Sequence, residues 1–354
     1  MPGYGMDLSN IVPINEPDVI YINHSNIYDT YWIHCPNGDV SINHNLLESF
    51  RQYRLVIFDL GSEHFGDPRD ELILNVYDTL AMHKLNFLVI THLPEQHNIR
   101  PNLKYCPNEY HISREFLSGI GKKDLFGNRK FPLSCLNNSS WPHRIYNYVK
   151  LRQQQWFDQI LWSINFNFDI KSARPDSIEL DDNTVQSWSD LSSRFKSNYI
   201  RGNLQKEAGN SGSAWAVDNP GYQDSYANLI TETVVLPGVY ISEKTWKPIA
   251  NGMWFFVLGC PGTVAHLRSL GVDTFDDLID HDAYDQEVNF YKRVDRLHTV
   301  IEKYTKLDHK KLWRETVDRR RVNQEKFLNG DFDKKYLNEV KKIVINKCKL
   351  INHR

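Results

Sequence analysis

Residues 53–91 read YRLVIFDLGSEHFGDPRDELILNVYDTLAMHKLNFLVIT, and the spacing of their apolar residues changes twice. The runs 53–59 and 85–91 are nearly continuous and rich in β-branched and aromatic residues, which is typical of buried strands. Between residues 70 and 83 the apolar residues recur at near-helical spacing instead. A strand, a helix and a second strand in this order predict a parallel sheet.

The same alternation continues on both sides of this stretch. A polar, Gly- and Lys-rich segment, 119–130, interrupts it and predicts a boundary between two domains. Further strands are predicted at 18–22, 131–137, 226–231 and 254–259, with helices at 143–155 and from residue 242. Residues 180–223 are predicted to be loop-like, and the chain is predicted to be mainly helical from about residue 285.

These patterns predict an α/β protein with two Rossmann-type domains and a cleft between them. The first domain is predicted to span residues 1–128 and the second 129–308, followed by a basic helical segment at 309–354. In a chain of 354 residues, each domain is long enough to bury a core and to contribute to a ligand site.

The composition, 41% hydrophobic and 24% charged, is that of a folded globular protein. No run of about eighteen apolar residues occurs, and the first residues lack the order of a signal peptide, so we expect neither export nor integral membrane contact. The five cysteines are far apart and contain no CxxC pair, which favours a cytoplasmic location over a disulfide framework or a thiolate zinc site. Walker A, GxGxxG and GxSxG motifs are absent, which argues against kinases, dehydrogenases and α/β-hydrolases.

The most informative window for function follows the predicted strand 226–231. Ser242 is a good N-cap, and Glu243 and Lys244 then fall in the first turn of a helix, where backbone N–H groups favour an anion such as a diphosphate. Glu232 and Glu243 can accept hydrogen bonds from ribose or sugar hydroxyls, and Lys244 adds a positive charge. The alternative is a capped amphipathic helix with Glu and Lys on its surface.

Residues 226–271 resemble the donor-binding segment of fucosyltransferase-type GT-B glycosyltransferases and their relatives in bacteria and large phages. The shared pattern is a strand that ends near a Glu, a short loop, a Ser/Thr-Glu-Lys triplet that begins a helix, and a hydrophobic strand that ends at Gly. The resemblance implies that Glu243 and Lys244 hold the ribose and diphosphate of a nucleotide sugar, and Glu232 matches the strand-end Glu.

Two positions depart from the family pattern. Thr233 stands where an Asn is usual, and Met253-Trp254 stands where a small residue or Pro is usual. The resemblance implies an inverting, metal-independent glycosyltransferase with a GT-B-like fold, the acceptor side first and the donor side second. Its donor would be a UDP- or GDP-sugar, with no permanently bound cofactor, and its acceptor a glycan or a hydroxymethylated base in phage DNA.

A second cluster follows the predicted strand 131–137. His143 and Arg144 begin the next helix, so both should lie at the carboxyl end of that strand, where nucleotides bind in such sheets. The Arg144 guanidinium offers a bidentate fork to a phosphate. The alternative is an Arg that pairs with a neighbouring carboxylate and a His that caps a turn. Arg201 is a third candidate for the diphosphate, by resemblance to an Arg that fucosyltransferases place ahead of the Glu-Lys helix.

The acceptor side needs a base that takes the proton of the attacking hydroxyl. Asp59, Glu63 and His64 lie at the end of the predicted strand 53–59 and just after it, beside flexible glycines. Glu63 is the first candidate for the base. The alternative for each is a loop residue that caps the following helix.

Charge is distributed unevenly along the chain. Residues 309–354 contain fourteen of the 42 basic and six of the 44 acidic residues, a net charge of +8. This predicts that Arg319, Arg320 and Arg321, with neighbouring lysines, contact a polyanionic acceptor, whereas the alternative is a solvated, salt-bridged helix. The rival function is a non-catalytic nucleic-acid-binding protein that uses this segment. The acidic run 276–285 is predicted to be a solvated loop rather than a cation site, and no metal site is predicted.

Overall fold

The computed structural model describes residues 19–22, 44–59, 69–91, 99–106, 110, 113–114, 117, 127, 129–137, 139–164, 166, 178–194, 220–235 and 238–349. The chain divides into two units. Unit 1 contains Met1–Ile112 together with Gly330–Arg354, and unit 2 contains Ser113–Asn329.

Unit 1 is built on a four-stranded parallel sheet. Its strands are β1 (Val19–Ile22), β2 (Leu55–Asp59), β3 (Phe87–Thr91) and β4 (Leu103–Tyr105), and its helices include α1 (His44–Phe50) and α2 (Arg69–Met82). The strand order, β1-β2-β3-β4, follows the chain without reversal among the described strands. The βαβ unit predicted from residues 53–91 is therefore confirmed, and its strands are continuous apolar runs because both faces of the sheet are covered.

Unit 2 contains a second four-stranded parallel sheet. Its strands are β5 (Phe131–Leu136), β6 (Leu161–Ser163), β7 (Ser225–Thr231) and β8 (Trp254–Leu258). Their order is β6-β5-β7-β8, so the chain leaves β5 toward one edge of the sheet and later returns to its other side as β7. In open parallel sheets, ligands bind outside the carboxyl ends of the strands where the order reverses. In this sheet that place lies between the ends of β5 and β7.

Eight α-helices of unit 2 have described bounds. They are α3 (Pro142–Arg152), α4 (Asp182–Arg194), α5 (Pro220–Gln223), α6 (Glu243–Ala250), α7 (Thr263–Ser269), α8 (Phe290–Thr305), α9 (His309–Glu315) and α10 (Val317–Asn329). The predicted loop at 180–223 is wrong at both of its described ends, where α4 and α5 form. Asp181 caps α4 by accepting from the Thr184 N–H at 2.8 Å, and Trp188 is buried against Phe166 with ring centroids 4.7 Å apart. Tertiary packing of one aromatic side chain thus outweighs a polar sequence.

The last helix, α11 (Lys334–Lys349), belongs to unit 1. Val340 and Val344 pack against the side chains of β2 and β3, and the Tyr336 ring meets the Tyr105 ring edge-on at 4.8 Å. The residues predicted to form one C-terminal segment, 309–354, are consequently divided between the two units. The first domain boundary is predicted after residue 128, and the structure has it earlier, after Ile112. Across the described ranges, no helix combines the length and the apolar character that crossing a membrane requires.

Candidate functional site

The two clusters predicted for donor binding lie together at the point where the strand order of unit 2 reverses. His143 and Arg144 begin α3, after β5, and Glu232 follows the last residue of β7. The His143 Nε2–H donates to the Glu232 carbonyl at 2.9 Å, and Arg144 Nη2 donates to the same oxygen at 3.4 Å. The start of α3 is therefore tied to the end of β7.

The Glu232 carboxylate is fully buried and fully hydrogen-bonded. Its Oε1 accepts from the Ser242 N–H at 3.1 Å and from the Thr245 hydroxyl at 2.5 Å. Its Oε2 accepts from the Ser242 hydroxyl at 2.5 Å and from the Thr233 N–H at 3.3 Å. Four internal donors leave this carboxylate with no role in binding a sugar hydroxyl, because both oxygens are committed. Glu232 instead joins the end of β7 to the beginning of α6.

The start of α6 is held by local and tertiary contacts. Ser242 is its N-cap, as predicted, and its Oγ accepts from the Lys244 N–H at 3.3 Å. Gly259, just after β8, lies against Glu232, and a Cβ at this position would stand 3.0 Å from Thr263 Oγ1 and 3.4 Å from Glu232 Cγ. The glycine at the end of β8 thus permits the close approach of Thr263 and Glu232, and a side chain here would require one of them to shift.

Glu243 and Lys244 form an ion pair in the first turn of α6. Lys244 Nζ lies 2.8 Å from Glu243 Oε1 and 3.1 Å from Thr233 Oγ1, and 27% of its side chain is exposed. Burial raises the pKa of the Glu243 carboxyl, but Lys244, Lys247 and Arg144 outweigh this effect and hold it below its usual range. Glu243 is therefore ionised, and none of the described residues donates to its Oε2.

Lys247 is a member of this site that sequence reasoning missed. It stands four residues after Glu243, so both side chains lie on one face of α6. It is only 8% exposed, and burial lowers the pKa of its ammonium to about 8, against the opposing effect of Glu243. The i, i+4 spacing from Glu243 was the available signal, but that spacing also describes an ordinary surface pair.

His143 and Arg144 are deeply buried rather than solvent-facing. Burial and the nearby Arg144 lower the pKa of the His143 imidazole to about 3, so it is neutral and uses Nε2–H as a donor. Arg144 also donates through Nη1 to the hydroxyl and carbonyl oxygens of Ser139. These contacts let His143 hold the end of β7 to α3, while Arg144 adds a fixed positive charge that acts on Glu243.

The backbone N–H groups at the start of the neighbouring helix, α7, already donate to a carboxylate of the chain. Asp285 accepts from the Val264 N–H at 2.9 Å and from the Ala265 N–H at 3.0 Å, at the beginning of α7. Burial raises the pKa of this carboxyl, and the two N–H groups oppose the rise. These donors of α7 are therefore satisfied internally, and at the start of α6 it is the partly exposed Lys244 ammonium that can meet an external anion.

The predicted base candidates are only partly described. Asp59 is the final residue of β2 in unit 1, and nothing is described of its side chain. Glu63, His64 and the donor candidate Arg201 lie outside the described residues. Their predicted roles remain predictions.

The three predicted acceptor-binding arginines are engaged within unit 2. Arg319 pairs with Asp273 at 2.6 Å and with Asp277 at 2.9 Å, and Arg321 pairs with Asp318 at 2.8 Å. Arg320 is buried, with its guanidinium 3.3 Å from the centroid of a tryptophan ring and hydrogen-bonded to two backbone carbonyls. Because Arg320 is buried, it cannot contact a large acceptor. Arg319 and Arg321 form salt bridges within unit 2, as the alternative of a salt-bridged helix predicts.

The acidic run 276–285 takes part in the same network. Arg268 pairs with Asp276 at 2.6 Å and with Asp282 at 2.7 Å. Within the described ranges, no group of three His, Cys, Asp or Glu side chains is arranged to hold a metal ion.

The chain was compared with protein-family models, with curated proteins and with solved structures, and none of the three comparisons gave a match.

Proposed function

We propose that this protein is a nucleotide-sugar-dependent glycosyltransferase whose donor binds at the carboxyl ends of β5 and β7. One observation carries this proposal: Glu243 and Lys244 stand at a helix start, at the point where the strand order of a parallel sheet reverses. The Oε2 atom of Glu243 can accept a hydrogen bond from a ribose hydroxyl, and the partly exposed Lys244 can pair with a phosphate.

The chemistry follows from the charge that develops in glycosyl transfer. The bond from the sugar's anomeric carbon to the diphosphate breaks, the acceptor oxygen bonds to the opposite face of that carbon, and the acceptor proton passes to a base. Negative charge builds on the leaving diphosphate, and the fixed positive charges of Lys244 and Arg144 stabilise it. Asp59, Glu63 and His64 remain the predicted candidates for the base.

The fold is compatible with a GT-B enzyme, which we include in the proposal. Each unit has a parallel four-stranded sheet, and only the sheet of unit 2 reverses its order among the described strands. This supports donor binding in the second unit, while a UDP- or GDP-sugar as donor is what the family resemblance implies.

Thermal unfolding in the presence of UDP, GDP, CMP and their sugars tests the donor class. A ligand at about 100 times its dissociation constant stabilises the folded state by roughly 2.7 kcal/mol, which we expect to raise Tm by about 5–10 °C. One nucleoside diphosphate should give this shift, with its monophosphate giving a smaller one. If none of these nucleotides shifts Tm, the proposed donor is wrong.

The surface of α11 favours a polyanionic acceptor as the second element of the proposal. Lys334, Lys335 and Lys342 are exposed, and within the described chain Lys335, Lys341 and Lys342 form no ion pair with a carboxylate. The opposite face of α11 packs into unit 1. The lysines thus remain available to phosphates, unlike the arginines of α10.

Neutralising these lysines should weaken binding to a duplex DNA acceptor. The triple change Lys335→Gln, Lys341→Gln, Lys342→Gln is expected to raise the apparent KM for the acceptor and to make the salt dependence shallower by about 0.9 for each lost phosphate contact. Hydrolysis of the donor without acceptor should not change, and Arg321→Gln is the matched control. Equal transfer by the triple variant at low and high salt would exclude a polyanionic acceptor, whereas DNA binding without any nucleotide-sugar binding would favour the non-catalytic rival.

A further inference from the structure

Lys247 is a buried cation that has no hydrogen-bond or ion-pair partner in the described part of the chain. Its side chain is 8% exposed, and among the described residues its ammonium donates no hydrogen bond and forms no ion pair. A charged group that loses most of its water without gaining hydrogen bonds destabilises the fold. Such a residue is expected where a ligand supplies the missing partner.

The groups that face Lys247 come from α6 and from the end of β7. Glu243 and Lys244 are on its own helix, and Glu232 lies at the strand end. Glu243 is paired through Oε1 with Lys244 at 2.8 Å, and Glu232 is saturated by four internal donors. Arg144 adds a third cation that acts on Glu243. Three cations around two carboxylates leave a positive excess at this place.

We propose that Lys247 binds one phosphate of a diphosphate whose other phosphate is bound by Lys244, so that the site selects a diphosphate over a single phosphate. Lys244 and Lys247 are three residues apart, and this spacing places them on one face of α6 in adjacent turns. The diphosphate of a nucleotide sugar carries one negative charge on each phosphate, which matches two ammonium groups. This inference rests on the proposed function and specifies the ligand of the same site.

Protonation of Lys247 is then linked to binding. Without ligand its pKa is about 8, because burial disfavours the charged form. A bound phosphate favours the charged form and raises that pKa. The contribution of Lys247 to affinity is therefore present at pH 7 and declines as the pH rises above about 8, where the free protein must first take up a proton.

Calorimetric titration of the full chain with inorganic pyrophosphate and with orthophosphate tests this assignment. At pH 7, Lys247→Met is expected to weaken pyrophosphate binding about 10- to 100-fold, the value of a hydrogen bond to a charged group, and to weaken orthophosphate binding less. At pH 9.5 the difference between variant and wild type should shrink. Pyrophosphate itself changes its protonation between the two pH values, but this affects both proteins equally. The difference in affinity between variant and wild type therefore reports the contribution of Lys247.

Two further variants complete the experiment. Lys247→Arg keeps the charge and should bind pyrophosphate within a few-fold of wild type, while Lys303→Met, an exposed lysine on α8, should have no effect. Lys247→Met should fold with a Tm at least equal to that of wild type, because it removes a buried charge. If it does not fold, loss of selectivity for pyrophosphate in Lys247→Gln takes its place as the expected result.

The outcomes separate this inference from the proposed function. Equal pyrophosphate affinity of Lys247→Met and wild type would overturn the inference and leave nucleotide-sugar binding by Lys244 and Glu243 intact. A Lys247-dependent pyrophosphate site with no preference for any nucleoside diphosphate would support the inference and overturn the proposed donor.

Discussion

Lys244→Met is expected to lower kcat/KM for the nucleotide sugar about 100-fold or more, which corresponds to about 2.7 kcal/mol of lost transition-state stabilisation. Lys244 is the most exposed of the three cations at the site, and its ammonium stands at the start of α6 where the leaving diphosphate is proposed to bind. Because charge grows on the diphosphate as the bond breaks, the loss should fall on kcat as well as on KM. Steady-state release of the nucleoside diphosphate measures both.

The fold should tolerate this change. Lys244 is partly exposed, but its partner Glu243 is buried, so the change should lower the free energy of unfolding by about 1–3 kcal/mol, with Lys247 and Arg144 still stabilising the carboxylate. Lys306→Met is the matched control, since Lys306 forms an exposed pair with Glu302 on the surface of unit 2. A Lys244→Met enzyme that releases nucleoside diphosphate at the wild-type rate would show that Lys244 has no role in transfer.

Glu232→Gln should reduce the free energy of unfolding by about 3 kcal/mol. An amide cannot replace this carboxylate, because its NH2 group would face donors now satisfied by a charged oxygen. The end of β7 and the start of α6 would then lose their connection. Urea unfolding followed by circular dichroism gives the change in free energy.

The control for Glu232 is a carboxylate in a different environment. Glu302→Gln removes one member of an exposed pair and should change stability by less than about 1 kcal/mol. Equal stability of Glu232→Gln and wild type would mean that Glu232 is not the anchor described here. If donor affinity alone fell, Glu232 would instead accept a hydrogen bond from the ligand, the role that its side-chain chemistry predicts.

Local patterns were sufficient to predict the elements that form the site. The strands β5, β7 and β8 are short apolar runs bounded by polar residues, and Ser242 was predicted as the N-cap of α6 because capping depends on neighbouring residues. The parallel arrangement of both sheets also followed from the alternation of strands and helices.

Tertiary contacts account for what could not be predicted. A Glu at the end of a strand suggests a carboxylate that is available to a ligand. Only the folded chain shows that four internal donors surround Glu232. The isolation of Lys247 likewise depends on what its neighbours already bind. The return of α11 to unit 1 is set by the packing of Val340 and Val344 on distant strands, which a helical period does not specify.

The structure of the complex with the nucleoside diphosphate that gives the largest rise in Tm tests the central claim most directly. The account predicts that its diphosphate lies outside the carboxyl ends of β5 and β7, within hydrogen-bonding distance of Lys244 and Lys247, with the ribose beside Glu243. A nucleotide bound at another place in the chain, with the start of α6 unoccupied, would contradict it.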